Sequence, residues 1–321
     1  MGRSVAEAGS LRDSGRELQG SPLGHLNGPA GHKRRRADLR RRYEGSQSLM
    51  EFTFGAVPHT DDDQTRVLLA EFCARWSKRS NVPVRPHRAP SPGSLQAAFH
   101  RDRVQLAWVS PGLFLLSDAF TSAVPLASAV REGDSRYNGV LFVRDASPIR
   151  RVESLRGSNV AWVAPTSAAG YLMPRLALVK QGLDPNELFA SEVFLDTHGA
   201  VARCVAEGRA DVGATHALFD DADPSRALRS AGFDRAEGLR ARVVLASAPI
   251  PSDLIVASRA VPPWLRGNLA VALRDLTEDG SCTELFAALF GLEGYRDHQP
   301  AALGRLARDL SIARERGLWT A

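Results

Sequence analysis

Cysteine is scarce in this chain: Cys73, Cys204 and Cys282 are the only three in 321 residues, widely spaced and odd in number. That pattern matches no zinc-ligand spacing and argues against a disulfide-stapled scaffold, so free thiols and a reducing compartment are expected. No run of 18 consecutive apolar residues occurs, so no segment can span a bilayer as a helix. HExxH, Walker and G-x-S-x-G patterns are missing as well. No enzyme class is therefore nominated, and no catalytic residue, metal or cofactor is expected.

A basic excess is lacking from most of the chain. The formal net charge is +5, but residues 1–49 carry 10 Lys/Arg against 5 Asp/Glu, while residues 50–321 carry 31 of each. The globular part is neutral, and no nucleic-acid partner is expected for it. Residues 1–49 have no sustained apolar period and too little apolar surface to offset ordering entropy, so they read as a disordered basic tail. The run Lys33–Arg42, "KRRRADLRRR", is a solvated charge run or a contact for nucleic acid or anionic lipid. An export signal needs an apolar stretch of about 7–15 residues behind its positive charges. Here the arginines lead into "YEGSQS", so no export signal is recognised and a start at Met50 is the expectation.

What is present from Glu51 onward is an alternation of short apolar runs and amphipathic stretches. "EFTFGAV" is a strand; Asp61–Ser80 is a helix with Leu68, Phe72 and Trp76 on one face. "NVPVRP" is extended, "SLQAAFHRDR" helical, and "VQLAWVS" and "SAVPLASAV" are strands. "NVAWV" is a strand followed by the helix "GYLMPRLALVKQG", closed by Gly182. Asp184, Pro185 and Glu187 open another helix as N-cap, N1 and N3. "HGAVARCVAEGRADVGAT" is a helix, a glycine stop and a strand. This grammar predicts an α/β fold with largely parallel sheets. Two β-rich segments, 137–149 and 241–258, bracket about 100 residues and read as crossings between two lobes. A cleft between lobes is a usual place for a ligand.

The stretches "GAVPH", "APSPGSLQAAFHRDRVQLAWVSPGLF", "YNGVLFVRDASPI", "LRGSNVAWVAPTSAAGYLMP", "SEVFLDTHGA", "GRADVGAT" and "SAPIPSDLIVAS" occur together in order. With them, residues 51–295 resemble the phosphate/phosphite/phosphonate-binding proteins of ABC importers, the PhnD-like group. The resemblance implies a two-lobed type II periplasmic-binding-protein (Venus flytrap) fold with mixed, mostly parallel sheets and a hinge of two crossing segments. Lobe 1 would comprise residues 50–140 plus 246–321, and lobe 2 residues 141–245. It also implies a solute-binding protein rather than an enzyme, which captures a small oxyanion between the lobes, delivers it to an ABC permease and works in the periplasm. A cytoplasmic sensor or scaffold that keeps the fold without transport is the alternative.

The family's anion cradle is a Ser/Thr-rich loop at a helix N-terminus, where first-turn amides lack intrahelical acceptors and the dipole favours an anion. Ser167, Gly170 and Tyr171 match that motif; Thr166 adds a hydroxyl, and Ala168 and Ala169 stand where hydroxyl residues are usual. His198 matches a family histidine that reaches the anion, or else caps its helix. Asp253 matches an aspartate that can meet a ligand ammonium, or else organises a hinge turn. His59 and Thr60 after the first strand, and Ser110, complete the candidate ligand set. Pro92 stands in place of an aromatic, and Leu218 and Phe219 lie where a second acidic residue is expected. Trp108 and Trp162 read as core.

Overall fold

The computed structural model describes residues 50–57, 63–234 and 236–318. The expectations for the tail 1–49, its disorder included, and for His59 and Thr60 lie outside these residues. β1 (Phe52–Ala56) leads to α1 (Asp63–Ser80), which has Asp63 in its first turn and Lys78 and Arg79 in its last, as the helix dipole favours. Its buried face is Leu69, Phe72, Cys73 and Trp76, with Leu68 at the edge of the same core. β2 (Val84–Arg88), α2 (Pro92–His100), β3 (Leu106–Val109) and α3 (Pro111–Leu116) continue the alternation. α2 and α3 open on the same tripeptide, Ser-Pro-Gly, with Ser91 and Ser110 as N-caps.

β4 (Val124–Val130) ends this half, and β5 (Arg136–Arg144) begins the second sheet. There follow β6 (Asn159–Trp162), α4 (Met173–Lys180), α5 (Pro185–Leu188), β7 (Ser191–Phe194) and α6 (His198–Ala206). Asp184 caps α5, accepting from the Asn186 amide at 2.9 Å, and Gly182, at φ +76°, ends the preceding helix. β8 (Val212–Phe219), β9 (Leu228–Ala231), β10 (Ala241–Ala246), β11 (Ile250–Pro251) and β12 (Leu254–Ala257) come next. α7 (Pro263–Glu278), α8 (Thr283–Phe290), β13 (Gly294–Arg296) and α9 (Pro300–Glu315) follow among the described residues.

The first sheet has the order β13-β4-β12-β3-β1-β2 and the second β10-β5-β8-β6-β7, with β11 on β5 and β9 on β8. The sheets are mixed, but parallel pairing is confined to β1 with β2 and β3 and to β6 with β7 and β8. The expected parallel majority therefore does not hold. Its reason is local: helical crossovers return a strand in the same direction, whereas β4, β5, β10 and β12 meet the hinge without one and insert antiparallel.

The chain passes between the sheets at the Arg131–Asp134 turn, closed by reciprocal backbone bonds, and again between β10 and β12. A third passage follows β13. α9 buries Leu303 among the side chains of α2, β3 and β12, and buries Leu306, Leu310 and Ala313 in the core of the second sheet. Residues 300–318, expected with lobe 1, thus place most of their apolar side on the other sheet. Phe54, Phe72, Trp76 and Phe290 interlock edge to face or stacked, centroids 5.4–6.4 Å apart, at the centre of the first core. Trp162 is fully buried, and Trp108 is half-buried with its ring 4.8 Å from Phe290.

Candidate functional site: a wide helical turn after β6

β6 delivers the chain to the carboxyl end of the second sheet, where residues 163–167 turn into a wide helical turn, Ala168–Leu172, that runs on into α4. The turn is one residue wider than an α-helix: the Leu172 amide donates to the Ser167 carbonyl at 3.0 Å. Such π-type turns recur at functional sites. Ser167 is the N-cap; its Oγ accepts from the Gly170 amide at 3.0 Å and keeps its own proton to donate. Ala168 and Ala169 are buried, each 3% exposed. Among the described residues their amides have no protein acceptor, as first-turn amides do.

Two glycines let this turn sit where it does. A Cβ on Gly170 would lie 2.3 Å from Val163 Cγ2 and 2.9 Å from Ser167 Oγ. One on Gly139 of β5 would lie 2.8 Å from the Ala169 carbonyl oxygen and 2.9 Å from Pro174 Cδ. Pro174 has no amide to donate backwards, and the Gly170 carbonyl is taken instead by the Val163 amide at 3.1 Å.

The remaining candidates fall into separate settings. Thr166 is exposed, and its carbonyl oxygen lies against Gly112 of α3. Ser110 caps α3, accepting from the Leu113 amide at 3.2 Å, so the structure brings Ser110's helix to the Thr166–Ala168 loop. The Tyr171 ring is buried between Trp162 and Phe194, centroids 5.3 and 5.1 Å away. Burial first, and Glu192 less, pushes its phenol up against the opposing pull of Arg175. His198 is the first residue of α6; its Nδ1 shares a hydrogen bond of 2.9 Å with Thr215 Oγ1, and its ring meets His216 edge to face at 4.7 Å. Thr215 and His216 lie on β8, which pairs with β6.

Asp253 stands elsewhere, in the hinge. Its Oδ2 receives Arg131 Nη2 at 2.6 Å, and Arg131 also donates to Ser252 Oγ and to the Gly291 and Phe290 carbonyls. Burial alone would lower the guanidinium's pKa, but the charge and hydrogen bond of Asp253 hold it above its ordinary value. Tyr137 and Tyr295 flank the pair, and burial pushes both phenols up.

A second buried cation braces the helix that continues the wide turn. Arg175, 2% exposed on α4, donates to the Leu318 carbonyl at 2.7 Å, to Glu192 Oε2 at 2.8 Å and to Asn186. Its guanidinium lies 5.1 Å from the Tyr171 centroid and 5.9 Å from that of Trp162. Glu192 also accepts from Trp162 Nε1 at 2.6 Å. Sequence reasoning missed Arg131, Arg175, Thr215 and Gly112. Only Arg175, a lone charge inside "LMPRLALV", carried a local signal. No group of His, Cys, Asp and Glu among the described residues could hold a metal ion.

Solved structures share this architecture. The chain is similar to XAC2383 of Xanthomonas citri, bound to ATP: 22% identity, TM-score 0.65, covering 83% of this chain and 99% of that one. It is similar to PhnD1 of Prochlorococcus marinus in complex with methylphosphonate: 16% identity, TM-score 0.63, covering 84% and 98%. It is similar to a binding-protein component of an ABC phosphonate transporter from Pseudomonas aeruginosa: 18% identity, TM-score 0.60, covering 83% and 86%. At these identities the likeness is one of fold, the two-sheet type II periplasmic-binding-protein fold. No helix among the described residues is long and apolar enough to cross a membrane. The family model for the periplasmic substrate-binding protein of the phosphonate ABC transporter matches residues 54–303, and the chain belongs to that family, as the solute-binding partner of an importer permease.

Proposed function

We propose that this solute-binding protein captures a compact oxyanion without an ammonium group, such as phosphate or methylphosphonate, on the Ala168–Leu172 turn. The buried Ala168 and Ala169 amides, lacking acceptors among the described residues, carry this reading: leaving such donors unmet is costly, and an anion meets them. Ser167 Oγ–H and the His198 ring are the side-chain donors on the same sheet. The carboxylate that the family resemblance assigns to an ammonium, Asp253, is already neutralised by Arg131. The lobes that close on the ligand are the first sheet with α1–α3, α7 and α8, and the second with α4–α6 and most of α9. Capture and hand-over, without turnover, is the role we assign to this closure, which a ligand drives by binding the closed state better.

Calorimetry with phosphate, phosphite, methylphosphonate, 2-aminoethylphosphonate and sulfate tests the proposal. Binding of one of the first three, with the aminated compound weaker, is the expected result; no heat with any oxyanion would remove it. The proposed compartment is the periplasm, and recovery solely in the cytoplasmic fraction of the source cell would overturn that.

A further inference from the structure

Gly112 has a helical backbone and gains nothing from its missing side chain within α3, since glycine weakens a helix relative to alanine. Its reason lies across the cleft. A Cβ there would stand 2.6 Å from the Thr166 carbonyl oxygen, 3.4 Å from the Ala168 amide nitrogen and 3.5 Å from Ala168 Cβ. None of those atoms can swing aside as the tip of a side chain would. The loop itself is pinned, because the Ser167 amide donates to the Ala164 carbonyl and the Ser167 carbonyl accepts from Leu172. α3 is pinned by its Ser110 cap and by Ser117 Oγ donating to Gln96 Oε1 at 2.7 Å. The remaining freedom is separation of α3 from the loop, and with it of the first sheet from the second.

The chain contains its own control. Gly93 occupies the same N2 position of α2, in the same Ser-Pro-Gly context, and an added Cβ there meets nothing nearer than Ser91 Oγ at 4.0 Å. The capping serine, proline and glycine are the same at the two sites, although α2 adds a reciprocal capping bond from Ser94 where α3 has Leu113. Of the two, only Gly112 faces another element at closer than van der Waals distance.

We infer that Gly112 is a specificity-determining residue, the contact that sets how far the lobes close over the anion loop and thereby holds the ligand to a compact oxyanion. The inference rests on the anion occupying the Ala168–Ala169 amides. With any side chain at 112 the lobes stop short, and donors from the two sides no longer reach one small anion together. The clusters centred on Phe54 and Phe142 contain no residue of α3, so ligand-free stability is little changed beyond the edge packing of Leu115 and Leu116 on the second sheet's core.

The experiment compares wild type, G112A and G93A by titration with inorganic phosphate and methylphosphonate, alongside thermal unfolding without ligand. G112A should bind whichever of the two the wild type binds about 10-fold or more weakly, with a ligand-free melting temperature close to wild type; G93A should match wild type in both. Wild-type affinity in G112A would overturn the inference and leave the proposed anion site standing. A large loss of ligand-free stability in G112A would also overturn it, because the added carbon would then disrupt the interior of a lobe instead of holding the lobes apart. If the wild type binds neither anion, the site itself is wrong and the inference falls with it.

Discussion

Ser167 caps the wide turn and holds a proton to donate, so in the proposed function one atom serves both the fold and the ligand. Ser167→Ala should weaken anion binding by about 1.5–3 kcal/mol, the scale of a hydrogen bond to a charged group, and cost about 1 kcal/mol of stability as a lost cap; titration and urea unfolding read the two separately. Arg175 differs, since its contacts are all to protein. Arg175→Met would leave Glu192 without its ion pair and the Leu318 carbonyl without its donor, and unfolding should show a loss on the order of 3 kcal/mol. Wild-type stability in that variant would mean the network carries no net energy. Cys73 provides a pH-dependent check. Burial pushes its thiol from 9.0 to about 12, so the native state keeps a proton that the unfolded chain releases. The stability it contributes is full below pH 9 and declines as pH rises towards about 12. Alkylation of Cys73 at pH 8 should therefore require unfolding, readable by mass spectrometry; rapid native labelling would contradict its burial.

Among the elements, the wide turn after β6 depends on a residue far from it in sequence. Gly139 of β5 leaves room for the Ala169 carbonyl, and Gly139→Ala should cost about 1–3 kcal/mol by overpacking and lower anion affinity, both measurable on one preparation. The location of this turn was legible in "WVAPTSAAGYLMP", because a small-residue loop between an apolar run and a helix is a local pattern. Its width was not, since no residue in it signals that Leu172 rather than Tyr171 will take the Ser167 carbonyl. β7 was missed as a strand for a related reason: all four of its residues are exposed, so it offers no apolar period. The partner of Asp253 was equally hidden, because Arg131 lies 122 residues away and only the folded hinge joins them. Parallel pairing was over-expected from the strand–helix alternation, which says nothing about strands entering from a crossing.

At the scale of the molecule, two sheets share three passages of chain, and the ion pair of Arg131 and Asp253 sits at one of them. Asp253→Asn should leave Arg131 in the hinge with its charge unpaired, destabilising the protein by roughly 3 kcal/mol, without making 2-aminoethylphosphonate a better ligand than methylphosphonate. Competition between the two ligands distinguishes a hinge role from an ammonium site. The C-terminal helix adds a constraint of another kind, one of time. Leu306, Leu310, Ala313 and Leu318 seal the second sheet's core, and the Leu318 carbonyl satisfies Arg175, yet they follow every strand of both sheets in sequence. The first sheet is no earlier, since β12 and β13 form its middle and one edge. Synthesis at about 5–20 residues per second therefore leaves the first sheet incomplete until β13 is made and the second uncovered until α9 is made. Neither half can mature as an independent N-terminal unit. The nascent polypeptide must hold its strand edges exposed until α9 emerges, so the two sheets finish folding together.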